Sequence, residues 1–277
     1  MDNRPIGVFD SGLGGLTAVL ELKKLLPNEN IIYFGDTSRV PYGNRSRETI
    51  IKYAAQDIEF LLEKDVKLLI AACGTVSAVL PEYAEGCLPV PLLKVAEHAA
   101  AAAVKATKNK IIGVIGTAAT IRSGIYAEKI KSIDEEITVI EQACPLFVPL
   151  VENGYFNAGN PVALLIAKEY LQPLAAAGAD TLILGCTHYP LLSVVIDEVL
   201  DSKVTLINSG QETARYAKLL LEREDMLSTY TQKGNTEYFV SDAPDDFAKN
   251  ASVFLGEFVK PQASIVKIEQ FDAYIFD

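Results

Sequence analysis

Two cysteines of this 277-residue chain stand where strand-like runs end. Leu68-Leu69-Ile70-Ala71-Ala72 leads into Cys73-Gly74-Thr75, and Thr181-Leu182-Ile183-Leu184-Gly185 leads into Cys186-Thr187-His188. Small or hydroxylated residues and a helix start follow each one. Backbone N–H groups and the helix dipole at such a place can lower a thiol pKa or hold a carboxylate. Cys87 and Cys144 lack that context and read as small buried hydrophobes, the commonest fate of free cysteine. No C-x-x-C spacing occurs, which argues against a zinc ribbon or a thioredoxin-type centre.

Of the two histidines, His188 lies two residues after Cys186, whereas His98 precedes the alanine run Ala99 to Ala103 and reads as structural or surface. A thiol beside an imidazole suits a hydrolase nucleophile and its base. A hydrolase needs only one such thiol, however, and leaves Cys73 without a task. Asp10-Ser11-Gly12-Leu13-Gly14-Gly15 lacks the Gly-x-Gly-x-x-Gly register of a dinucleotide site. It suits close backbone approach to a small carboxylate as well as to a phosphate. Pro41-Tyr42-Gly43, after Asp36, reads as a turn on the same face.

Two thiols, several hydroxyls, backbone donors, an Asp and a His fit inversion at a carbon acid. One thiolate removes a proton from one face and a thiol returns one from the other, sulfur being partly ionised already at neutral pH. The intervening carbanion places extra negative charge on the substrate carboxylate, which preorganised donors must take up.

The elements that must position these groups alternate along the chain. Strand-like runs fall at Ile6 to Phe9, Ile31 to Phe34, Leu68 to Ala72, Pro91 to Val95, Ile111 to Ile115, Thr138 to Glu141, Thr181 to Leu184, Val204 to Ile207, Thr236 to Ser241 and Ser264 to Ile268. Helical stretches lie between them, among them Leu16 to Leu26, Arg47 to Lys64, Ile121 to Lys131 and Leu191 to Leu200. This alternation predicts α/β architecture with largely parallel sheets, in which ligands sit beyond the carboxyl ends of strands. Ile6-Gly7-Val8 pairs with Ile112-Gly113-Val114, and the two cysteine-terminated runs pair at a similar separation. The expectation is two pseudo-symmetric α/β domains with the active site in the cleft between them. Strands after Val204 need a sheet to join, so the first domain is placed at 1–96 plus 208–277 and the second at 97–207.

Charge narrows the partners. With 25 basic and 36 acidic residues the net charge is −11, and no Lys/Arg stripe forms, so nucleic acid and anionic membranes are disfavoured. The apolar run Ile6 to Phe9 is too short for a secretory signal core. The longest stretch without formal charge, Thr181 to Ile196, falls short of the ~18 apolar residues of a membrane helix. A cytoplasmic protein with reduced thiols is expected.

Asp10-Ser11-Gly12-Leu13-Gly14-Gly15, Pro41-Tyr42-Gly43, Cys73-Gly74-Thr75, Gly116-Thr117 with Thr120, Val151-Glu152 and Gly185-Cys186-Thr187-His188-Tyr189-Pro190 together resemble the glutamate racemases of the aspartate/glutamate racemase superfamily. The resemblance implies an isomerase that interconverts L- and D-glutamate without a cofactor or metal, in bacteria the supply of D-glutamate for peptidoglycan and so for cell-wall biogenesis and cell shape. It implies Cys73 and Cys186 as the acid/base pair, Cys73 deprotonating the D-enantiomer and Cys186 the L-enantiomer, with Asp10, Glu152 and His188 assisting proton traffic. Substrate contacts are implied for Asp10, Ser11, Tyr42, Gly43, Gly74, Thr75, Thr120, Thr187 and His188, and a homodimer for the assembly. The family commonly has Asn after the first cysteine; Gly74 removes that amide from the pocket. An aspartate or other amino-acid racemase of the superfamily is the nearest alternative, because one methylene is worth only ~1–3 kcal/mol of discrimination. A small-ligand binding protein with incidental thiols is the alternative from another class.

Overall fold

The computed structural model describes residues 1–256, 262–272 and 275–276. Ten strands form among them, each overlapping a run expected from sequence: β1 (Ile6–Asp10), β2 (Ile31–Gly35), β3 (Leu68–Ala71), β4 (Leu92–Lys94), β5 (Ile111–Gly116), β6 (Thr138–Ala143), β7 (Thr181–Leu184), β8 (Thr205–Asn208), β9 (Thr236–Val240) and β10 (Ala263–Ile265). The helices are α1 (Leu16–Leu25), α2 (Arg47–Glu63), α3 (Gly74–Val79), α4 (Val95–Ala106), α5 (Ala118–Ser123), α6 (Ile125–Ile133), α7 (Phe147–Glu152), α8 (Pro161–Ala176), α9 (Ser193–Val199), α10 (Ser209–Arg223) and α11 (Pro244–Leu255). Every residue of β1, β2, β3 and β7 is buried. That is why these strands read as unbroken apolar runs, as parallel strands covered on both faces do.

All pairings are parallel. One sheet has the order β10-β9-β2-β1-β3-β4 and the other β6-β5-β7-β8. Without its two C-terminal strands the first order, β2-β1-β3-β4, repeats in the second. The two Ile-Gly-Val strands, β1 and β5, therefore hold equivalent places, and so do the cysteine-terminated β3 and β7. The strands after β8 extend the first sheet through β9 and β2.

The chain crosses between sheets at two points. Lys94 ends β4 and precedes α4 directly. Asn208 ends β8, and its side chain caps α10 by accepting from Gln211 N–H, the arrangement a helix start favours. Leu16, Val19 and Leu22 of α1 pack with Ala214, Ala217 and Leu221 of α10 in one apolar cluster that also includes Leu182, Leu184 and Cys186. Full burial of each such Leu or Val contributes roughly 1.5–3 kcal/mol, so the two α/β units share a core.

Three departures from the sequence reading have plain causes. The single helix expected over Ile121 to Lys131 is two, because Gly124 adopts φ +67° and ends α5, as left-handed glycines end many helices. Helix α7, six residues long, was not expected; so short a segment shows hardly two turns of the helical period. Cys87 is exposed rather than a buried hydrophobe, since it closes the surface 3-10 segment Glu82–Cys87.

Candidate active site

In a parallel sheet the strand order reverses beside the first strand, and the gap beyond the carboxyl ends there is the natural ligand site. Here two such gaps face one another. Asp10 and Cys73 follow the β1/β3 gap of one sheet, Thr117 and Cys186 the β5/β7 gap of the other, and all four line a single cavity of about 350 Å³. Ser11, Tyr42, Gly43, Gly74, Thr75, Glu152, Thr187 and His188 line it too.

Thr120 is the one expected substrate contact that does not reach the cavity. It is fully buried, and its hydroxyl pairs with that of Thr117 at 3.0 Å. Thr117 in turn meets Thr75 at 3.1 Å, a hydroxyl bridge between the two units. Thr117, which also caps α5 through Thr120 N–H, was missed as a site residue. Its place directly after β5, matching Ser11 after β1, was the available signal.

Cys73 caps the start of α3 and donates its thiol to Ser11 Oγ at 3.6 Å. Burial pushes this thiol up to about 12, the Asp10 carboxylate and Cys186 adding to the rise, while the Val76 N–H and Ser11 oppose it. Asp10 is itself buried and accepts from Gly12 N–H at 3.0 Å. Cys73 is thus a protonated thiol at neutral pH beside a carboxylate.

Cys186 has the opposite neighbour. Its sulfur lies 3.9 Å from His188 Nδ1, and His188 Nε2 lies 3.1 Å from Glu152 Oε1. Burial alone would lower the His188 pKa, but hydrogen bonds to Cys186 and Glu152, with the fields of Cys186 and Asp10, raise it to about 10. An imidazolium therefore stands beside Cys186 across the physiological range. Phe254 of α11 packs edge-on against its ring, centroids 5.3 Å apart, and the sequence offered no sign of that contact. Among the cavity-lining residues there is no Lys or Arg, which leaves His188 as the cation of the site.

Backbone closeness brings the two halves together. A Cβ on Gly74 would overlap the Gly185 carbonyl, and one on Gly14 would overlap Thr187 Oγ1 and the His188 ring. Thr17 Oγ1 adds a hydrogen bond to the Thr187 carbonyl at 2.8 Å. Tyr42 gives the cavity only its ring and backbone, because its hydroxyl is committed to the buried Asp36 and Asp57 carboxylates. Cys144, read from sequence as a structural thiol, does line the cavity, yet burial raises its pKa and its sulfur donates to the Gln142 carbonyl at 3.7 Å. Among the described residues no cluster of three His, Cys, Asp or Glu side chains is placed to hold a metal ion.

The fold is thus α/β with a repeated strand order, and a thiol stands at each matching strand end on one cavity. The chain belongs to the Asp/Glu/Hydantoin racemase family, whose model matches residues 18–217. It is 48% identical over 253 residues to the glutamate racemase of Geobacter metallireducens, covering 91% of this chain and 93% of that one. It also superposes on the crystal structure of glutamate racemase from Francisella tularensis in complex with D-glutamate, with TM-score 0.89 and 38% identity over 98% of this chain and 100% of that one. The RacE1 isoform of glutamate racemase from Bacillus anthracis gives TM-score 0.91 at 36% identity, over 96% and 98% of the two chains.

Proposed function

We propose that this chain interconverts L- and D-glutamate by two-base proton transfer between Cys73 and Cys186. The observation that carries the reading is the pair of thiols at equivalent ends of β3 and β7, opening on one cavity with opposite electrostatic neighbours. Glutamate is favoured over aspartate because the relatives matched over nine-tenths of both chains are glutamate racemases.

Starting from L-glutamate, the Cys186 thiolate takes the α-proton, and the C–H electron pair passes into the α-carboxylate as a carbanion of enediolate character. Cys73, already protonated, delivers its proton to the opposite face. The new C–H bond leaves Cys73 as thiolate and Cys186 as thiol, and D-glutamate reacts by the reverse path. Hydroxyls of Ser11, Thr75, Thr117 and Thr187, with N–H groups of the strand-end loops, take up the carboxylate charge in a cavity whose cation is His188. Such donors act best when fixed beforehand, and the hydroxyl chain from Thr75 through Thr117 to Thr120 fixes two of them. Glu152 holds His188 as imidazolium, and Asp10 assists proton exchange at Cys73.

The same reading places the chain in the cytoplasm as a homodimer supplying D-glutamate for peptidoglycan, with domains at 1–96 plus 208–277 and 97–207. No helix of the described residues is long and apolar enough to cross a membrane. Circular dichroism of pure L-glutamate incubated with enzyme, without added pyridoxal phosphate, tests the activity. Loss of signal to zero is expected with glutamate and at most slow loss with aspartate. Binding without turnover would instead indicate a ligand-binding protein.

A further inference from the structure

Between the end of β2 and the start of α2 the chain runs along the surface, and of residues 36–46 only Asp36, Arg39 and Tyr42 are buried. These three, spaced three apart, meet Gln56 and Asp57 of α2 in one network. Arg39 donates from Nε to Asp36 Oδ2 at 2.5 Å, from Nη1 to Gln56 Oε1 at 2.6 Å and from Nη2 to Asp57 Oδ1 at 3.1 Å. Its guanidinium lies 4.0 Å from the centre of the Tyr53 ring. Ser241, after β9, donates to Asp36 Oδ1 at 2.8 Å, and Gln56 Nε2 donates to the Phe271 carbonyl at 3.0 Å. The surface segment is thereby tied to α2 and to the C-terminal part of the chain.

The Tyr42 hydroxyl sits between Asp36 Oδ2 and Asp57 Oδ2. A phenol has one proton to donate, and burial, which raises the Tyr42 pKa, keeps it there. Only one of the two acid oxygens can accept it, so the other contact needs a proton carried by the acid. Burial and the Asp36 charge push the Asp57 carboxyl well above the usual carboxylate range, outweighing the pull of Arg39. Asp57 is therefore the neutral acid and donates to Tyr42 Oη, while Tyr42 donates to Asp36. One guanidinium then faces one carboxylate, and no buried charge is left unpaired.

This anchor stands behind a wall of the catalytic cavity, which residues 40–44 line without a break. A Cβ on Gly12 would lie 3.0 Å from Val40 Cγ1, and one on Gly43 would lie 3.5 Å from Thr117 Cβ. The wall thus reaches from the glycine loop of one α/β unit to the hydroxyl bridge of the other. Tyr42 offers the cavity its ring and main chain, and the place of both is set by what its hydroxyl holds.

We propose that Arg39 and Asp57 are positioning residues for the substrate, locking the wall of residues 40–44 against the bound amino acid through the Tyr42 hydroxyl. The proposal rests on the racemase reading. Neither thiol belongs to this wall, so it bears on the substrate alike in the ground state and the transition state, and loss of such an interaction shows in KM rather than in kcat.

Tyr42→Phe removes the hydroxyl and keeps the ring. KM should rise about tenfold in both directions, the loss of one hydrogen bond to a charged group, with kcat little changed. Amide hydrogen exchange of residues 37–46, read by mass spectrometry without substrate, should quicken. Asp57→Ala should raise KM at least as much. Asp57→Asn, whose amide accepts from Arg39 and donates to Tyr42 Oη as the neutral acid does, should bring KM back to near the wild-type value. A wild-type KM in Tyr42→Phe, or a fall in kcat at unchanged KM, would overturn the positioning role. A lowered unfolding midpoint with both kinetic parameters intact would reduce the network to support of the fold. Asp57→Asn as impaired as Asp57→Ala would overturn the neutral acid. Absence of glutamate turnover in wild type would defeat the racemase reading instead, and the exchange measurement tests the anchor even then: unchanged exchange in Tyr42→Phe would overturn it.

Discussion

Gly74 lies so close against the carbonyl of Gly185 that the two cysteine loops touch through main chain alone. The site is therefore closed by backbone packing at Gly74. Gly74→Ala must push the loops apart, and overpacking of this kind typically costs ~1–3 kcal/mol. Reduced stability together with a fall in kcat/KM is expected, measurable by urea unfolding and by the circular dichroism assay. Wild-type values for both would show that the contact does not hold the cysteines in place.

Replacing either Cys73 or Cys186 with Ala should abolish racemisation in both directions, a loss of at least about a hundredfold for removing a general acid/base group. Cys87→Ala, on the surface, should change nothing. Cys144→Ala should retain most activity despite its place in the cavity wall, because that thiol is held protonated and turned to the Gln142 carbonyl. Near-normal turnover in a folded Cys186→Ala protein would contradict the assignment.

Glu152→Gln weakens the support of the His188 imidazolium beside Cys186. Enantiomers have equal free energy in water, so kcat/KM must fall by the same factor in both directions. Loss of one charged hydrogen bond predicts about tenfold to a hundredfold. Asymmetry should appear instead in the α-deuterium isotope effect on kcat/KM, larger from L-glutamate than from D-glutamate, because proton transfer at Cys186 becomes the highest barrier. Equal isotope effects would place Glu152 outside that half of the site.

The raised pKa of His188 has a signature in stability. In the folded chain the imidazole keeps its proton up to about 10, whereas its unfolded value is 6.5. Below that value both states are protonated and the stabilisation is complete. Between 6.5 and about 10 the folded state binds the extra proton, so stability falls as pH rises, and above that range the contribution is gone. Unfolding of wild type and His188→Asn at pH 6 and again near pH 10 should show the gap between them shrinking at the higher pH. A gap that widened would reverse the sign of the shift.

The sequence made the strands legible because β1, β3, β5 and β7 are buried on both faces and so lack polar interruptions. It made the cysteine loops legible because each follows such a strand directly. The short helix α7 at the cleft stayed hidden, since it is fixed by packing beside the cavity rather than by a periodic apolar face. Positions set by contacts between distant segments were hidden for the same reason. Phe254 against His188 and the turning of the Tyr42 hydroxyl toward Asp57 depend on where α11 and α2 dock. Thr117 was visible as a residue after a strand, but its role as the bridge to Thr75 appears only when the two sheets face each other.

Hydrogen exchange during turnover tests the two-base account most directly. With L-glutamate in heavy water, Cys186 takes protium from the substrate and Cys73, equilibrated with solvent as S–D, delivers deuterium from the other face. Early in the reaction, mass spectrometry of the separated enantiomers should find deuterium at the α-carbon of D-glutamate while recovered L-glutamate stays mostly protiated, with the mirror pattern from D-glutamate. Deuterium entering recovered L-glutamate before appreciable D-glutamate forms would point to a single exchanging base and contradict the separate roles of Cys73 and Cys186.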